Sequence, residues 1–218
     1  MPAGPLEAQP TLGAELRAVA TARILRGAIA ALVRHGLDAT ADDVATESGV
    51  SRRTVFRYFP TQGELFVAAI EEVYRIYDAT LPEPPGPETS LHSWLSEVAT
   101  TYHALNARYV GLAFWDFHVG RTQMAPEVAA ALTDVSNRSY EWVKEIAGHA
   151  WRKAGGTGRT PEWIDDAFVL HLSAYATFAM AKDKPEAVGK MCTRVLAAVL
   201  AAAVSSREGP LSPAAPPA

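Results

Sequence analysis

The sequence predicts an all-α protein, with a compact N-terminal module of short helices followed by a larger helical body. Three observations carry that prediction. Strand signals are almost absent from the 218 residues, whereas apolar side chains recur at helical spacing nearly throughout. Helix starts and stops crowd into the stretch around residues 36–64. A proline-rich run, LPEPPGPE at 81–88, then interrupts any helix, because proline lacks an N–H and disfavours the helical conformation of its predecessor.

The composition, 49% hydrophobic and 20% charged, is that of a folded globular chain long enough for one packed domain or for a small module fused to a larger one. The N-terminal segment MPAGPLEAQPTLGAEL has no basic start followed by an apolar run, so no signal peptide and a few disordered residues are expected. The most apolar stretches, Val195 to Val204 and Ala167 to Ala181, fall short of the roughly 20 residues that cross a bilayer, and are read as buried helices with no membrane partner. The single cysteine, Cys192, excludes an internal disulfide and a cysteine-based zinc site, and suits a reducing cytoplasm. Its neighbours Val188, Met191, Val195 and Val199 mark an apolar helical face, so it is read as a buried structural thiol. A net charge of −4 argues against diffuse attraction to nucleic acid, and any such site must be local.

The first helix is expected over about Leu16 to His35, with Ile24, Ala28 and Leu32 on one face and Gly36 as its stop. Thr40 and Asp43 have the capping-box form and open a short helix from Ala41 to Ser48, which Gly49 ends. Ser51 caps a third helix, Arg52 to Phe59, and Pro60 stops it. Thr61 and Glu64 form a second capping box for a longer helix through Leu65, Phe66, Ala69, Ile70, Val73 and Tyr77. Beyond the prolines, Leu91, Trp94, Leu95, Val98, Tyr102 and Leu105 mark an amphipathic helix, and Tyr109 to Val119 is apolar all round. Pro126 begins a long helix with a stripe at Val128, Leu132, Val135, Trp142 and Ile146, and AGGTGRT at 154–160 breaks it. A helix follows through Ile164, Phe168, His171, Tyr175 and Phe178, and Pro185 starts the last one, through Val188, Val195, Val199 and Ala203. The tail REGPLSPAAPPA is too proline-rich to pack, and 207–218 is assigned as disordered. The domain division that follows is 13–60 for the module and 61–206 for the body.

Residues 40–59 carry the functional signal. A helix-turn-helix needs a small residue where its helices touch, a glycine able to turn left-handed, and apolar residues pinning the second helix; Ala45, Gly49, Val50 and Val55 supply them. In such a motif the second helix enters the major groove of DNA while flanking groups hold phosphates. Arg52, Arg53, Thr54 and Arg57 lie on that helix, and no carboxylate occurs between Gly49 and Thr61, where it would repel the DNA backbone.

ATADDVATESGVSRRTVFRYFPTQGELFVAAI, with the preceding ILRGAIAALVRHG, resembles the DNA-binding domain of the TetR family of transcriptional regulators over roughly residues 16–75. The resemblance implies DNA contacts at Arg52, Arg53, Thr54 and Arg57 and phosphate contacts at Thr40 and Tyr58, the last of which can equally be a packing residue. Phe56 stands where the family usually has a tyrosine, and Gln62 where a lysine commonly opens the fourth helix. Phe59 is assigned to the module's core.

The resemblance further implies a larger C-terminal domain that forms a homodimer through its last long helices and holds a small effector, giving a cytoplasmic regulator, usually a repressor, of double-stranded operator DNA. Phe168, Ala174, Tyr175, Phe178, Val195, Val199 and Ala203 are compatible with a four-helix interface, and equally with a simple core. Trp94, Tyr102, His103, Phe114, Trp115, Phe117, His118 and Trp142 are candidates to line a cavity for a lipophilic or aromatic ligand, or to pack.

No cofactor, metal site or catalytic residue is expected. Asp116 and His118 diverge on a helix, and His92 and His103 lie roughly 16 Å apart along one. No phosphate loop, nucleophile elbow or ordered triad is recognisable. Two other classes stay open on sequence: a helical small-molecule binder with a vestigial DNA-binding head, and a regulator that senses no ligand.

Overall fold

The structure, a computed structural model, describes residues 11–109, 120, 124–181 and 184–205, without the side chains of 178–181. The expectations for Phe114, Trp115, Phe117, His118, the side chain of Phe178 and the tail 207–218 fall outside the described residues. Among the described residues all regular structure is helical: α1 (Leu12–His35), a 3-10 turn (Gly36–Asp38), α2 (Ala41–Ser48), α3 (Arg52–Tyr58), α4 (Gln62–Thr80), α5 (Leu91–Tyr109), α6 (Pro126–Lys153), α7 (Glu162–His171), α8 (Ala174–Ala181) and α9 (Pro185–Ser205).

These residues divide into two compact units, 11–74 with 120 and 124–132, and 75–109 with 133–181 and 184–205. The first unit extends past the sequence boundary at residue 60 because Leu65, Phe66, Ala69 and Ile70 of α4 are buried in it. Ile24, Ala28, Ile29 and Leu32 of α1, Val44 of α2 and Val55 of α3 complete its core. α1 begins earlier than expected, since Thr11 accepts the Ala14 N–H and serves as N-cap.

In the second unit α9 packs along α5, and Gly189 brings them together: a Cβ there would stand 2.7 Å from Thr100 Cα. Trp94, Leu95, Val98, Ala99, Val143, Ile146, Ile164, Phe168, Leu196 and Leu200 fill the core between α5, α6, α7 and α9. α9, at 21 residues, is long and apolar enough to cross a membrane, so the short-run argument from sequence understated it. It carries Glu186, Lys190 and Arg194, and its buried face is part of this core.

One helix of the sequence reading is two. The expected run from Ile164 to Phe178 breaks at Leu172, where α7 ends with φ −98° and ψ 59°. Ser173 then caps the next helix, its Oγ accepting the Ala176 N–H at 3.1 Å. Cys192 is fully buried as expected; its Sγ lies 3.4 Å from the His171 carbonyl, and burial pushes the thiol up to about 11.

Candidate nucleic-acid interface

α2, the turn and α3 are built from local capping. Thr40 Oγ1 accepts the Asp43 N–H at 3.2 Å while Asp43 Oδ2 accepts the Thr40 N–H at 2.8 Å, closing the capping box that opens α2. Thr40's hydroxyl also lies 2.6 Å from Asp43 Oδ2, and these bonds hold the Asp43 carboxyl below its ordinary range. A DNA phosphate would therefore compete with Asp43 for the Thr40 hydroxyl. Gly49 ends α2 at φ 64° and ψ 33°, a left-handed conformation that only glycine adopts freely, and its N–H bonds the Ala45 and Thr46 carbonyls. Ser51 then caps α3 through the Thr54 N–H at 3.1 Å.

The close approach behind this motif lies elsewhere than the sequence suggested. Ala45 is only half-buried, whereas Gly27 of α1 meets Ser48 so tightly that an added Cβ would fall 2.6 Å from Ser48 Cβ. Arg23, a residue the sequence reading missed, donates Nε–H to the Ser48 carbonyl at 2.6 Å and ties the end of α2 to α1. An isolated glycine inside an otherwise regular helix was the signal available for this contact.

On α3, Arg52, Arg53 and Arg57 are exposed, Thr54 and Tyr58 half-buried, and Val55 fully buried beneath them. Arg53 and Arg57, four residues apart, share one face and make no ion pair among the described residues. Arg52 is the exception to the carboxylate-free reading. The fold brings Asp42 of α2 to it, with Nη1 donating to Oδ2 at 2.8 Å. Both partners are exposed, so the pair adds little stability. Arg52 also stacks over Phe56, and Arg57 over Tyr58, at 5.5 and 5.3 Å from the ring centres. Phe59 is half-buried at the end of α3, and Gln62 donates to the Ala39 carbonyl at 2.8 Å, fastening the start of α4 to the approach to α2.

The second unit brings together part of the proposed ligand group. Tyr102 is buried and stacks on half-buried Trp142, with ring centres 5.8 Å apart and planes within 6°. Burial pushes the Tyr102 hydroxyl up to about 12 and holds His103, which is fully buried, down to about 4. Trp94 is a core residue whose Nε1 donates to the Glu83 carbonyl at 2.9 Å.

The proposed dimer residues separate. Phe168 is 0% exposed and belongs to the core of its own unit, because α7 buries that face together with Ile164. Ala174 is buried too, Val195, Val199 and Ala203 are half-buried, and Tyr175 is 62% exposed. Two exposed residues of α7 went unnoticed in the sequence, Trp163 at 51% and Leu170 at 64%. With Ala167 they follow helical spacing along one face.

Residues 24–69, spanning most of the first unit, match the family described as bacterial regulatory proteins, tetR family. This match shows a tetR-type N-terminal domain. The chain is 29% identical over 96 residues to the HTH-type transcriptional repressor SCO4008 of Streptomyces coelicolor, an alignment covering 44% of this chain and about half, 48%, of that relative. Among solved structures it is similar to AibR, determined in complex with isovaleryl coenzyme A and operator DNA, with a TM-score of 0.58 and 11% identity over 81% of this chain and 97% of AibR. That likeness is one of fold, and at 81% of this chain it reaches beyond the N-terminal match.

Gly49→Ala forces a side chain into the left-handed turn and should destabilise the protein by about 1 kcal/mol. A urea titration with an unchanged midpoint would contradict the turn geometry.

Proposed function

We propose that this chain is a homodimeric, ligand-responsive DNA-binding transcriptional regulator of the tetR family, acting as a repressor that a small lipophilic or aromatic molecule releases from a palindromic operator. The observation that carries this reading is α3 itself: exposed Arg53 and Arg57 share one face above a buried Val55, behind a left-handed glycine turn. Such a helix suits the major groove, where arginine pairs with guanine through two bonds, and the surrounding cationic groups suit phosphates. Asp42 serves in the free protein as a stand-in for a phosphate on Arg52, to be exchanged when DNA arrives. Thr40 and Tyr58 take the flanking phosphates.

Support from relatives is of the same kind, since the similar Streptomyces protein is named a repressor and AibR was solved with operator DNA and an acyl coenzyme A. The activity is binding rather than catalysis, and its place is the cytoplasm, where the DNA is. The body holds the effector beside Tyr102, His103 and Trp142. An effector that binds the DNA-incompatible arrangement more tightly shifts the equilibrium by that difference in affinity alone.

Dimerisation uses the exposed face of Trp163 and Leu170 with Tyr175 and the half-buried side of α9 at Val195, Val199 and Ala203. A two-fold interface of this kind repeats the same patch on both protomers.

Enrichment of genomic fragments by the purified protein at physiological salt should recover a few palindromic sites. Arg57→Ala should then weaken operator binding by about 1–3 kcal/mol and relax discrimination at one base position in each half-site. Wild-type affinity and discrimination in that variant, at matched salt, would remove the assigned role. Leu170→Glu combined with Tyr175→Glu should convert the dimer to a folded monomer in sedimentation equilibrium, and a persistent dimer would place the interface elsewhere.

A further inference from the structure

A chain of buried polar groups in the second unit ends at the His103 ring. Tyr77 of α4 donates its hydroxyl to Asn106 Oδ1 at 2.6 Å, the Asn106 amide donates to Thr177 Oγ1 at 3.2 Å, and that oxygen lies 2.8 Å from His103 Nδ1. His103 is 0% exposed, and its Nε2 is buried without a hydrogen-bond partner among the described residues.

The chain has a direction fixed at its start. Tyr77 fixes which end of the Asn106 amide accepts, so the NH2 group faces Thr177. The Thr177 hydroxyl then has one proton and two acceptors, His103 Nδ1 at 2.8 Å and the Ser173 carbonyl at 3.4 Å. Two arrangements fit these distances: the hydroxyl donates to Nδ1, or Nδ1–H donates to the hydroxyl while the hydroxyl donates to Ser173. In the first arrangement the neutral ring carries its proton on Nε2. The His171 carbonyl favours a protonated ring, yet Nε2 makes no hydrogen bond to it. In that arrangement three helices hold an Nε2–H donor that has no hydrogen-bond partner among the described residues. A partly satisfied polar network is less stable than apolar packing of the same volume, which points to a partner present only part of the time.

We propose that His103 Nε2–H is the polar anchor of a site for a small neutral molecule carrying a carbonyl-type acceptor on a mainly apolar body. The proposal rests on the reading of the second unit as the effector-binding part and specifies the chemistry of that effector. Neutrality follows from the network: Tyr77, Asn106 and Thr177 are uncharged, His171 lies near enough for its charge to act on the His103 ring and disfavours a second positive charge there, and an ion brought among these groups would lose its hydration. The imidazole, held neutral by burial, supplies no countercharge. An apolar body follows from the core that α5 shares with it, with Trp94, Leu95, Val98, Ala99 and Tyr102 on the same helix. Tyr102 stands edge-on to the His103 ring at 5.9 Å and offers an aromatic surface beside the anchor.

The test uses the full-length protein and two probes of nearly equal shape, acetophenone and α-methylstyrene, which differ in having C=O or C=CH2. Thermal shifts at millimolar probe should show about five-fold tighter binding of acetophenone, the size of one net hydrogen bond. With 15N-histidine labelling, His103 should show the Nε2–H tautomer, and acetophenone alone should displace that resonance. In His103→Phe the two probes should bind equally. Where that variant fails to fold, Thr177→Val should release the tautomer and erase the preference. Equal binding in the wild type, a preference that survives His103→Phe, an Nδ1–H tautomer, or binding of neither probe would each overturn the proposal. Operator binding by the same sample, measured in parallel, separates that failure from failure of the regulator reading.

Discussion

The approach of α1 to the end of α2 governs the head of this protein. Gly27 lets the two helices meet where any side chain would collide with Ser48, and Arg23 bonds the Ser48 carbonyl that the end of α2 leaves unpaired. Gly49 can then turn left-handed, Ser51 caps α3, and Val55 drops into the core. The direction in which Arg53 and Arg57 point follows from those four steps. A short helix of seven residues has little stability of its own, so its orientation comes from these contacts rather than from intrinsic propensity.

The body is organised by a different compromise. Gly189 allows α9 to close on α5, and an apolar core fills the remaining space. Into that unit the sequence places a directed polar chain that an apolar core of the same size would avoid. α4 takes part in both units: Leu65, Phe66, Ala69 and Ile70 build the core of the head, and Tyr77 begins the chain that ends on His103.

What was legible in the sequence was local. Thr40 with Asp43, Gly49 and Ser51 act on backbone groups within a few residues, and they fixed α2 to its observed ends and α3 to within one residue. The family likeness rested on the same residues. Contacts between distant segments were not legible. Nothing in the spacing paired Asp42 with Arg52, placed Arg23 on Ser48, or joined Tyr77, Asn106, Thr177 and His103. Phe168 and Tyr175 lie seven residues apart, a spacing that keeps one face of a continuous helix, yet the break at Leu172 leaves one buried and the other exposed. Ser173 carried that break in plain view as a potential N-cap. Of the pocket group, Tyr102, His103 and Trp142 do gather, because their helices share a core, while Trp94 serves packing.

The most direct test of the central claim is chemical protection of guanine N7 in the major groove of an enriched fragment. The account requires two protected patches related by a two-fold axis, spaced by about 34–36 Å or a multiple of it. Arg53→Ala with Arg57→Ala should abolish both patches while circular dichroism shows the helices intact. Protection confined to the phosphate backbone, unaltered by those substitutions, would contradict it.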